Sequence, residues 1–172
     1  MKLKTETSAG GIVFKRLMSN VLDLKSKVSG LSSKVSYQSS KVSGLPSNLL
    51  WLITQHSQHK GWGFPKGLIG DTVLNEPMEV AALREVKEEG GMEAKIVNPS
   101  PIEVHYKYTF QNFLVEKSVH FFLMEYISGD PKDHDWEVEE ARFVPENEVL
   151  ETLTYKTEKE AFEKALQIFK TL

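Results

Sequence analysis

Three glutamates are the residues of this chain best suited by type and spacing to do chemistry. Glu85, Glu88 and Glu89 lie in the segment Glu76–Met92, EPMEVAALREVKEEGGM. On a helix, their spacing of i, i+3 and i+4 brings three carboxylates to one face, which repels itself without a counter-ion. Mg²⁺ prefers oxygen ligands and bridges carboxylates to phosphates, so it would turn that repulsion into a binding site. A charge run of this kind is otherwise typical of a solvated helix face.

A helix is expected to carry these glutamates. Pro77 suits the first helical position, where its missing N–H has no hydrogen bond to make, and Gly90-Gly91 suits the C-terminal end. Apolar residues recur between these points at helical spacing: Met78, Ala81, Ala82 and Val86. Arg84 precedes Glu88 by four residues and can orient a carboxylate or contact a phosphate.

Strand-like segments surround that helix without a regular alternation of strand and helix. Apolar runs bounded by turn residues predict six strands: Ala9–Lys15, Asn48–His56, Glu93–Val97, Ile102–Phe110, Lys117–Ile127 and Arg142–Val144. Near the end of the chain, Thr157 and Glu160 have the spacing of a capping box that begins another amphipathic helix. The order of elements predicts an α/β fold with a mixed β-sheet between helices.

The segment between the first two strands has a composition of its own. Ser26–Pro46 contains three copies of a seven-residue unit: SKVSGLS, SKVSYQS and SKVSGLP. Few apolar residues and interrupting glycine and proline argue against a coiled coil. Such a segment cannot bury enough surface to offset its ordering entropy. We therefore expect one domain over residues 1–172 with a flexible serine-rich insertion at about 24–47. The alternative is that this insertion binds a partner.

The overall composition excludes several classes of function. The chain of 172 residues has no cysteine, which excludes disulfides, thiolate metal sites and cysteine nucleophiles. Its net charge of −3 offers no basic field for nucleic acid. The N-terminal residues lack the apolar core of a signal peptide, and the longest apolar run is too short to span a bilayer. We expect a soluble, cytoplasmic protein with no membrane partner.

The glutamate segment also carries a wider pattern. Its residues match E-x7-R-E-U-x-E-E-x-G-U at every position, with Val86 and Met92 as the apolar residues. In this pattern the chain resembles the Nudix hydrolases, and SAGGIVF, WGFPKG, VHFFLMEY and LTYKTEKEAFEKA follow in family order. The resemblance implies a Nudix α/β/α sandwich that uses Mg²⁺ (or Mn²⁺) to hydrolyse a nucleoside diphosphate linked to another moiety.

The loop before the box departs from the family pattern. In the family, a glycine after Pro-Lys lies five residues before the first box glutamate. Here eight residues separate Gly67 of Phe64-Pro65-Lys66-Gly67 from Glu76, which implies a three-residue insertion. Gly70 satisfies the five-residue spacing literally, so the resemblance alone leaves open which of the two glycines would contact metal through its carbonyl.

The resemblance assigns roles by motif position. Glu85, Glu88, Glu89 and the carbonyl of Gly67 would bind metal, and Glu88 or Glu89 would also serve as the base for the attacking water. Arg84 and Lys66 would hold a phosphate or a carboxylate. A distant metal-binding glutamate before a late strand is best matched by Glu137, with Glu139 and Glu140 as close alternatives. Solvated loop acids are an equally good reading of all three.

Substrate-binding residues follow less directly. Members of the family that act on dinucleoside polyphosphates carry a tyrosine at about the position of Tyr108, sixteen residues beyond Met92. Tyr108 could stack on a purine, although a tyrosine in an alternating strand is as often sheet packing. Lys117 could reach a phosphate or could be a solvated hairpin residue. Three histidines are read as ordinary packed or loop residues: His56, His59 and His120.

These features favour one function and leave two alternatives. The favoured function is metal-dependent hydrolysis of a dinucleoside polyphosphate by attack of water on a phosphate. The first alternative is a pyrophosphohydrolase acting on nucleoside triphosphates or RNA 5′ ends. The second is a non-catalytic module that senses a nucleotide. The expected partner is a small nucleotide, and the expected assembly is a monomer or a homodimer.

Overall fold

The computed structural model describes residues 2–17 and 48–172. The serine-rich repeat therefore lies outside the described residues. The strands are β1 (Lys2–Arg16), β2 (Leu49–His56), β3 (Trp62–Gly63), β4 (Lys66–Leu68), β5 (Met92–Ile96), β6 (Ile102–Phe110), β7 (Phe113–Gly129) and β8 (Val138–Pro145). The helices are α1 (Met78–Gly90), α2 (Glu146–Thr152) and α3 (Lys156–Phe169), with a 3₁₀ turn at Pro131–Asp133.

The sheet is mixed, as the sequence predicts. Its central strands β1 and β7 run parallel, with pairs from Lys2–Phe113 to Phe14–Glu125. The other pairings are antiparallel: β1 with β2 and β4, β7 with β5 and β6, and β2 with β3 and β8. Since β1 and β7 are separated by about a hundred residues of chain, the parallel pair brings the N-terminal strand beside the elements that follow the box.

Each face of the sheet has its own core. Trp51 is fully buried and meets Phe162 of α3 edge to face, with ring centroids 5.0 Å apart. On the opposite face, Ala81, Ala82 and Val86 of α1 pack into a cluster that includes Met124. Successive residues of a strand point to opposite faces, so β1, β2 and β7 contribute to both cores. This two-sided packing confirms the predicted α/β architecture and fixes α1 and α3 on opposite sides of the sheet.

The strand predicted at Ala9–Lys15 begins earlier, at Lys2. Residues 2–7, KLKTET, lack an apolar face and are mostly exposed, so hydrophobic patterning could not reveal them as a strand. Backbone pairing with β7 holds them in the sheet. Within residues 2–17 and 48–172, none of the helices has the length and apolar content that a membrane span requires.

The capping-box prediction for the last helix is wrong. The helix α3 begins at Lys156 with Tyr155 as its N-cap, and no side chain caps it. Its start is fixed by tertiary hydrogen bonds instead: Trp62 N donates to Thr154 Oγ1 (2.9 Å), and Thr154 N donates to Trp62 O (3.0 Å). These long-range contacts fix the chain at Thr154, just before the helix, and no local side chain caps its first N–H groups. The short helix α2, with Val149 as its one buried residue, was not predicted.

Candidate active site

The helix α1 is held close to the sheet by small residues. It begins after Pro77, which is the N-cap and not the first helical residue. It ends at Gly90, and the C-cap Gly91 has a φ of 67°, in the left-handed region. A Cβ on Gly11 of β1 would lie 2.5 Å from Val86 Cγ2, so glycine at that position permits the close approach. The apolar side of α1 faces the sheet, and its glutamates lie on the side of the Phe64–Leu68 loop.

Arg84 is the counter-charge of the glutamate face. Its Nε and Nη2 donate to the two carboxylate oxygens of Glu76 at 3.0 and 2.9 Å. Its Nη1 donates to Glu85 Oε1 at 2.6 Å and to Glu88 Oε2 at 3.0 Å. The hydrogen bonds from Arg84 hold the pKa of the buried Glu76 carboxyl below its ordinary value. One guanidinium thus joins the first box glutamate to two of the three on the helix face.

Two of the predicted metal ligands are buried carboxylates. Glu85 and Glu89 are 6% and 8% exposed as whole residues, and burial raises the pKa of each carboxyl to about 7. Glu89 Oε2 accepts a hydrogen bond of 2.8 Å from the backbone N of Lys66. Glu88 is more exposed, at 42% of its side chain. Because Glu85 and Glu89 are the most buried of the three, a bound cation would stabilise their charged forms most.

The structure distinguishes the two loop glycines. The Cα of Gly67 lies directly against the carboxylate of Glu85, so that any Cβ at this position would overlap it. Gly70 has a φ of 80° and a backbone hydrogen bond to Glu76, whereas a Cβ on Gly70 would meet only Val73 O, at 3.9 Å, and none of the three glutamates on the helix face. The three extra residues are therefore accommodated in the turn after β4, and the Pro-Lys-Gly sequence locates the loop better than the five-residue spacing does.

The donors at this site fit a divalent cation of the magnesium type. Carboxylate and backbone carbonyl oxygens are hard ligands, and Glu85, Glu88, Glu89 and Gly67 supply no other kind. In the described parts of the chain, no three His, Asp or Glu side chains are already arranged as a metal-binding group. Arg84 Nη1 pairs with both Glu85 and Glu88, so the guanidinium supplies the positive charge between these two carboxylates.

The Glu137 carboxyl is close enough to Glu88 of the box for the two charges to interact. Burial raises the pKa of the Glu137 carboxyl, and the neighbouring carboxylates of Asp135, Asp71 and Glu88 act in the same direction. Its loop is fastened to α1, because Asp135 N donates to Glu88 O at 2.8 Å. The alternative residues are occupied elsewhere: Glu139 pairs with Lys60, and Glu140 pairs with Arg142.

The two candidate lysines are both partly buried and ion-paired. Lys66 Nζ lies 2.9 Å from Glu158 Oε1. Burial opposes its charge, but Glu158 and Glu89 outweigh burial and hold the pKa of Lys66 above its ordinary value. Lys117 Nζ lies 3.7 Å from Glu6 Oε2, and burial lowers the pKa of Lys117. Its side chain is 17% exposed, so Lys117 is not a solvated hairpin residue.

The tyrosines of β6 share one face, because they are two residues apart on a strand. Tyr108 donates a hydrogen bond of 3.0 Å to Glu6 Oε2, and burial raises its pKa to about 12. Tyr106 is the more buried of the two and is close enough to Lys66 for the lysine charge to act on its pKa. A cleft of about 390 Å³ at this edge of the sheet is lined in part by Glu6, Tyr106 and Lys117.

The histidines lie around the site and bind none of its glutamates on α1. His56 and His59 stack with ring centroids 3.9 Å apart, and Tyr155 Oη lies 2.9 Å from His59 Nδ1. Burial lowers the pKa of both imidazoles. His120 Nε2 lies 3.8 Å from Glu103 Oε1, on the α1 side of the sheet.

Glu158 is a residue of this region that sequence reasoning missed. It is 3% exposed and contacts Lys66 from the first turn of α3. In the sequence, a glutamate within TEKEAFEK is indistinguishable from the solvated acids of an amphipathic helix. Glu158 becomes buried and ion-paired only in the tertiary fold, because the start of α3 packs against the loop between Trp62 and Gly67.

Comparisons with known proteins agree with this geometry. A profile of the NUDIX domain matches residues 45–165. "Putative mutator protein MutT4" of Mycobacterium tuberculosis is 33% identical over 111 residues, which cover 64% of this chain and 43% of that protein. The chain thus spans less than half the length of this curated relative.

Solved structures share the fold. The crystal structure of an Ap4A hydrolase from C. elegans superposes with a TM-score of 0.59 at 16% identity, over 96% of this chain and 98% of that one. The NUDIX domain of Shewanella oneidensis NrtR, complexed with ADP ribose, superposes with a TM-score of 0.55 at 18% identity, over 98% and 89%. Because the profile covers the loop, the box and most of α3, the chain belongs to the Nudix family.

Proposed function

We propose that the protein is a metal-dependent hydrolase that cleaves a phosphoanhydride bond in a nucleoside diphosphate linked to another moiety. The observation that carries the proposal is the contact of the Glu85 carboxylate with Gly67, beside the hydrogen bond from Lys66 N to Glu89. These contacts bring the oxygen donors of the loop and of α1 together. Family membership supports the same reaction, because Nudix hydrolases generally use divalent metals and act on small nucleotides.

Each residue of the site has a part in this reaction. Glu85, Glu88, Glu89 and the carbonyl of Gly67 would hold Mg²⁺ or Mn²⁺, with Glu137 as a further carboxylate. The bound cation would lower the pKa of a water molecule and neutralise phosphate charge. Glu88 or Glu89 would accept the proton of the attacking water, and Arg84 would keep the carboxylates oriented.

Dinucleoside polyphosphates are the substrate class that we propose. Such substrates need cations along an extended phosphate chain and an aromatic surface for a base. Lys66 and Lys117 would supply the charge, and Tyr106 or Tyr108 would supply the surface, with Tyr106 nearer to Lys66. The fold likeness to the C. elegans Ap4A hydrolase is consistent with this choice.

Cleavage of diadenosine tetraphosphate in Mg²⁺, followed by chromatography of the nucleotides, tests the proposal. Wild type should release mononucleotides, and Glu88→Gln and Glu89→Gln should each lose most of the activity. Glu93→Gln is the matched control, since Glu93 is an exposed partner of Lys87 beyond the end of α1. Nucleotide binding without any product would favour a sensing module, and full activity in both variants would refute the assigned roles.

A second substrate class is supported by the curated relative whose name marks it as a mutator protein of the MutT type. The second class that we consider is nucleoside triphosphates or RNA 5′ ends, from which the same site would remove pyrophosphate. A panel of nucleoside triphosphates, ADP-ribose and RNA with a 5′-triphosphate, compared by kcat/KM with diadenosine tetraphosphate, distinguishes the candidates. A higher kcat/KM for a triphosphate would replace the first substrate class and keep the same site.

The chain as given would act as one domain that contains the serine-rich insertion. Deleting residues 26–46 should then leave both thermal unfolding and hydrolysis unchanged. A large loss of either would contradict this organisation and assign the insertion a part in folding or in the reaction.

A further inference from the structure

Lys66 is fastened at both ends. Its backbone N–H donates to Glu89 Oε2 at 2.8 Å, and its ammonium lies 2.9 Å from Glu158 Oε1. Glu89 belongs to the box on α1, whereas Glu158 belongs to α3 on the opposite side of the sheet. The lysine that precedes the loop glycine therefore connects the two helices through a single residue.

The loop is shaped around the Glu158 carboxylate. A Cβ on Gly63 would lie 2.5 Å from Glu158 Oε2 and 2.8 Å from Oε1, which real Cβ atoms do not tolerate. Gly63 thus leaves the space that the carboxylate occupies, and Lys66, three residues later, supplies the opposite charge. A glutamate on a solvated helix face would need neither feature.

The burial of this carboxylate needs a compensating contact. Glu158 is 3% exposed, and in the described residues its Oε2 has no hydrogen-bond donor. A buried charge of this kind is costly unless it is paired, and Lys66 is the cation that pairs with it. Buried ion pairs add little net stability compared with apolar packing, and here the pair sets which group the Lys66 ammonium contacts. The flexible lysine stem benefits from such a constraint, since an unpaired ammonium has many rotamers.

We propose that Glu158 is a positioning residue for the reaction: it holds the ammonium of Lys66 where that ammonium contacts a substrate phosphate. This inference rests on the proposed function for the phosphate contact. An ammonium group has three donors, so it keeps its bond to Glu158 while another N–H turns to a phosphate oxygen. The start of α3 and the Gly63–Lys66 turn then become part of the substrate site, although neither belongs to the box.

The first test detects the ammonium directly and needs neither metal nor substrate. In ¹H–¹⁵N spectra of lysine ammonium groups at low temperature, wild type should show a protected resonance that is assigned to Lys66 by its disappearance in Lys66→Arg. We expect the resonance to be lost in Glu158→Gln and kept in Glu160→Gln, an exposed control on the same helix. A resonance that is unchanged in Glu158→Gln overturns the proposal.

The second test separates positioning from folding. On folded protein, Glu158→Gln should lower kcat/KM for diadenosine tetraphosphate about 10- to 100-fold, as expected for a bond to a charged group. Lys66→Met should lower it at least as much, and the double variant should be no worse than Lys66→Met. A lower melting temperature with unchanged kcat and KM would show a merely structural role. Losses that multiply in the double variant would show that Glu158 does not act through Lys66, which overturns the proposal.

A third variant reaches the same carboxylate from the loop. Gly63→Ala should displace Glu158 and reproduce the loss of the Lys66 resonance. In a Glu158→Ala background, Gly63→Ala should lower kcat/KM no further. If wild type cleaves no nucleotide, the proposed function fails, and the resonance still decides whether Glu158 fixes Lys66. If wild type is active and the Glu158 variants match it in kcat/KM, the positioning role fails while the proposed function stands.

Discussion

We expect Arg84→Gln to destabilise the protein strongly, because two buried carboxylates would lose their counter-charge. Arg84 makes a two-pronged contact with Glu76 and a 2.6 Å bond to Glu85. The three side chains are 15%, 2% and 7% exposed, so water cannot replace the lost charge. The contacts with Glu88 and Asp71 add little, since these side chains are 42% and 46% exposed.

The size of the effect follows from this burial. Removing one partner of a buried ion pair costs about 3–5 kcal/mol, which in a chain of this length lowers the melting temperature by roughly 6–20 °C. Urea unfolding in EDTA, followed by circular dichroism, measures the free energy. The matched control is Arg142→Gln, an exposed arginine paired with Glu140, for which about 1 kcal/mol or less is expected. Equal losses in the two variants would refute the reasoning.

The pH dependence of this difference has a definite sign. Because Arg84 holds the pKa of Glu76 below its ordinary value of 4.5, the pair contributes stability that is present above pH 4.5. That contribution is lost as the pH falls through the lower pKa of the folded state. The part of the stability difference between wild type and Arg84→Gln that comes from Glu76 should therefore be full at pH 7 and should shrink below pH 4.5. A difference that is constant between pH 7 and pH 3 would contradict the pairing.

Three further predictions concern the metal site and the core. Gly67→Ala should weaken Mn²⁺ binding in calorimetry about tenfold or more, because its Cβ would overlap the Glu85 carboxylate; binding equal to wild type would argue against the Gly67 contact. Glu137→Gln should weaken Mn²⁺ binding, whereas Glu139→Gln, whose carboxylate pairs with Lys60, should not; the reverse order would exchange their roles. Phe162→Ala should cost about 3–5 kcal/mol in urea unfolding, since Phe162 is fully buried against Trp51; a loss below 1 kcal/mol would contradict that core.

Local sequence patterns predicted the helices and strands whose buried residues recur at the helical or strand period. The helix from Met78 to Gly90 and the strand Ile102–Phe110 were found because their apolar residues and their end signals lie within the segment itself. The N-terminal half of β1 and the start of α3 were missed for the opposite reason. Pairing with β7 decides the first, and the contact between Thr154 and Trp62 decides the second, so neither has a local signal.

In the candidate site, too, the sequence predicts the residues that share one element and misses those that depend on contacts between distant elements. The glutamates and Arg84 share one helix, and the sequence therefore predicts their common face. The choice between Gly67 and Gly70 depends on how an insertion is accommodated, which spacing alone does not determine. The burial of Glu158, and the greater burial of Tyr106 compared with Tyr108, depend on which strands and helices pack together. Residues whose role comes from contacts between distant elements are beyond a reading of local patterns.

The contacts of the Phe64–Leu68 loop explain why the site needs more than its box. On one side, Gly11 N donates to Pro65 O at 3.1 Å, and a Cβ on Gly10 would overlap that same oxygen. On the other side, Lys66 reaches Glu158 of α3. The glycines of β1 lie before the span that the family profile matches, yet they set how closely the loop approaches the sheet. Because Gly67 follows Lys66 directly, its position beside Glu85 depends on contacts of the loop with β1 and α3 as well as on α1.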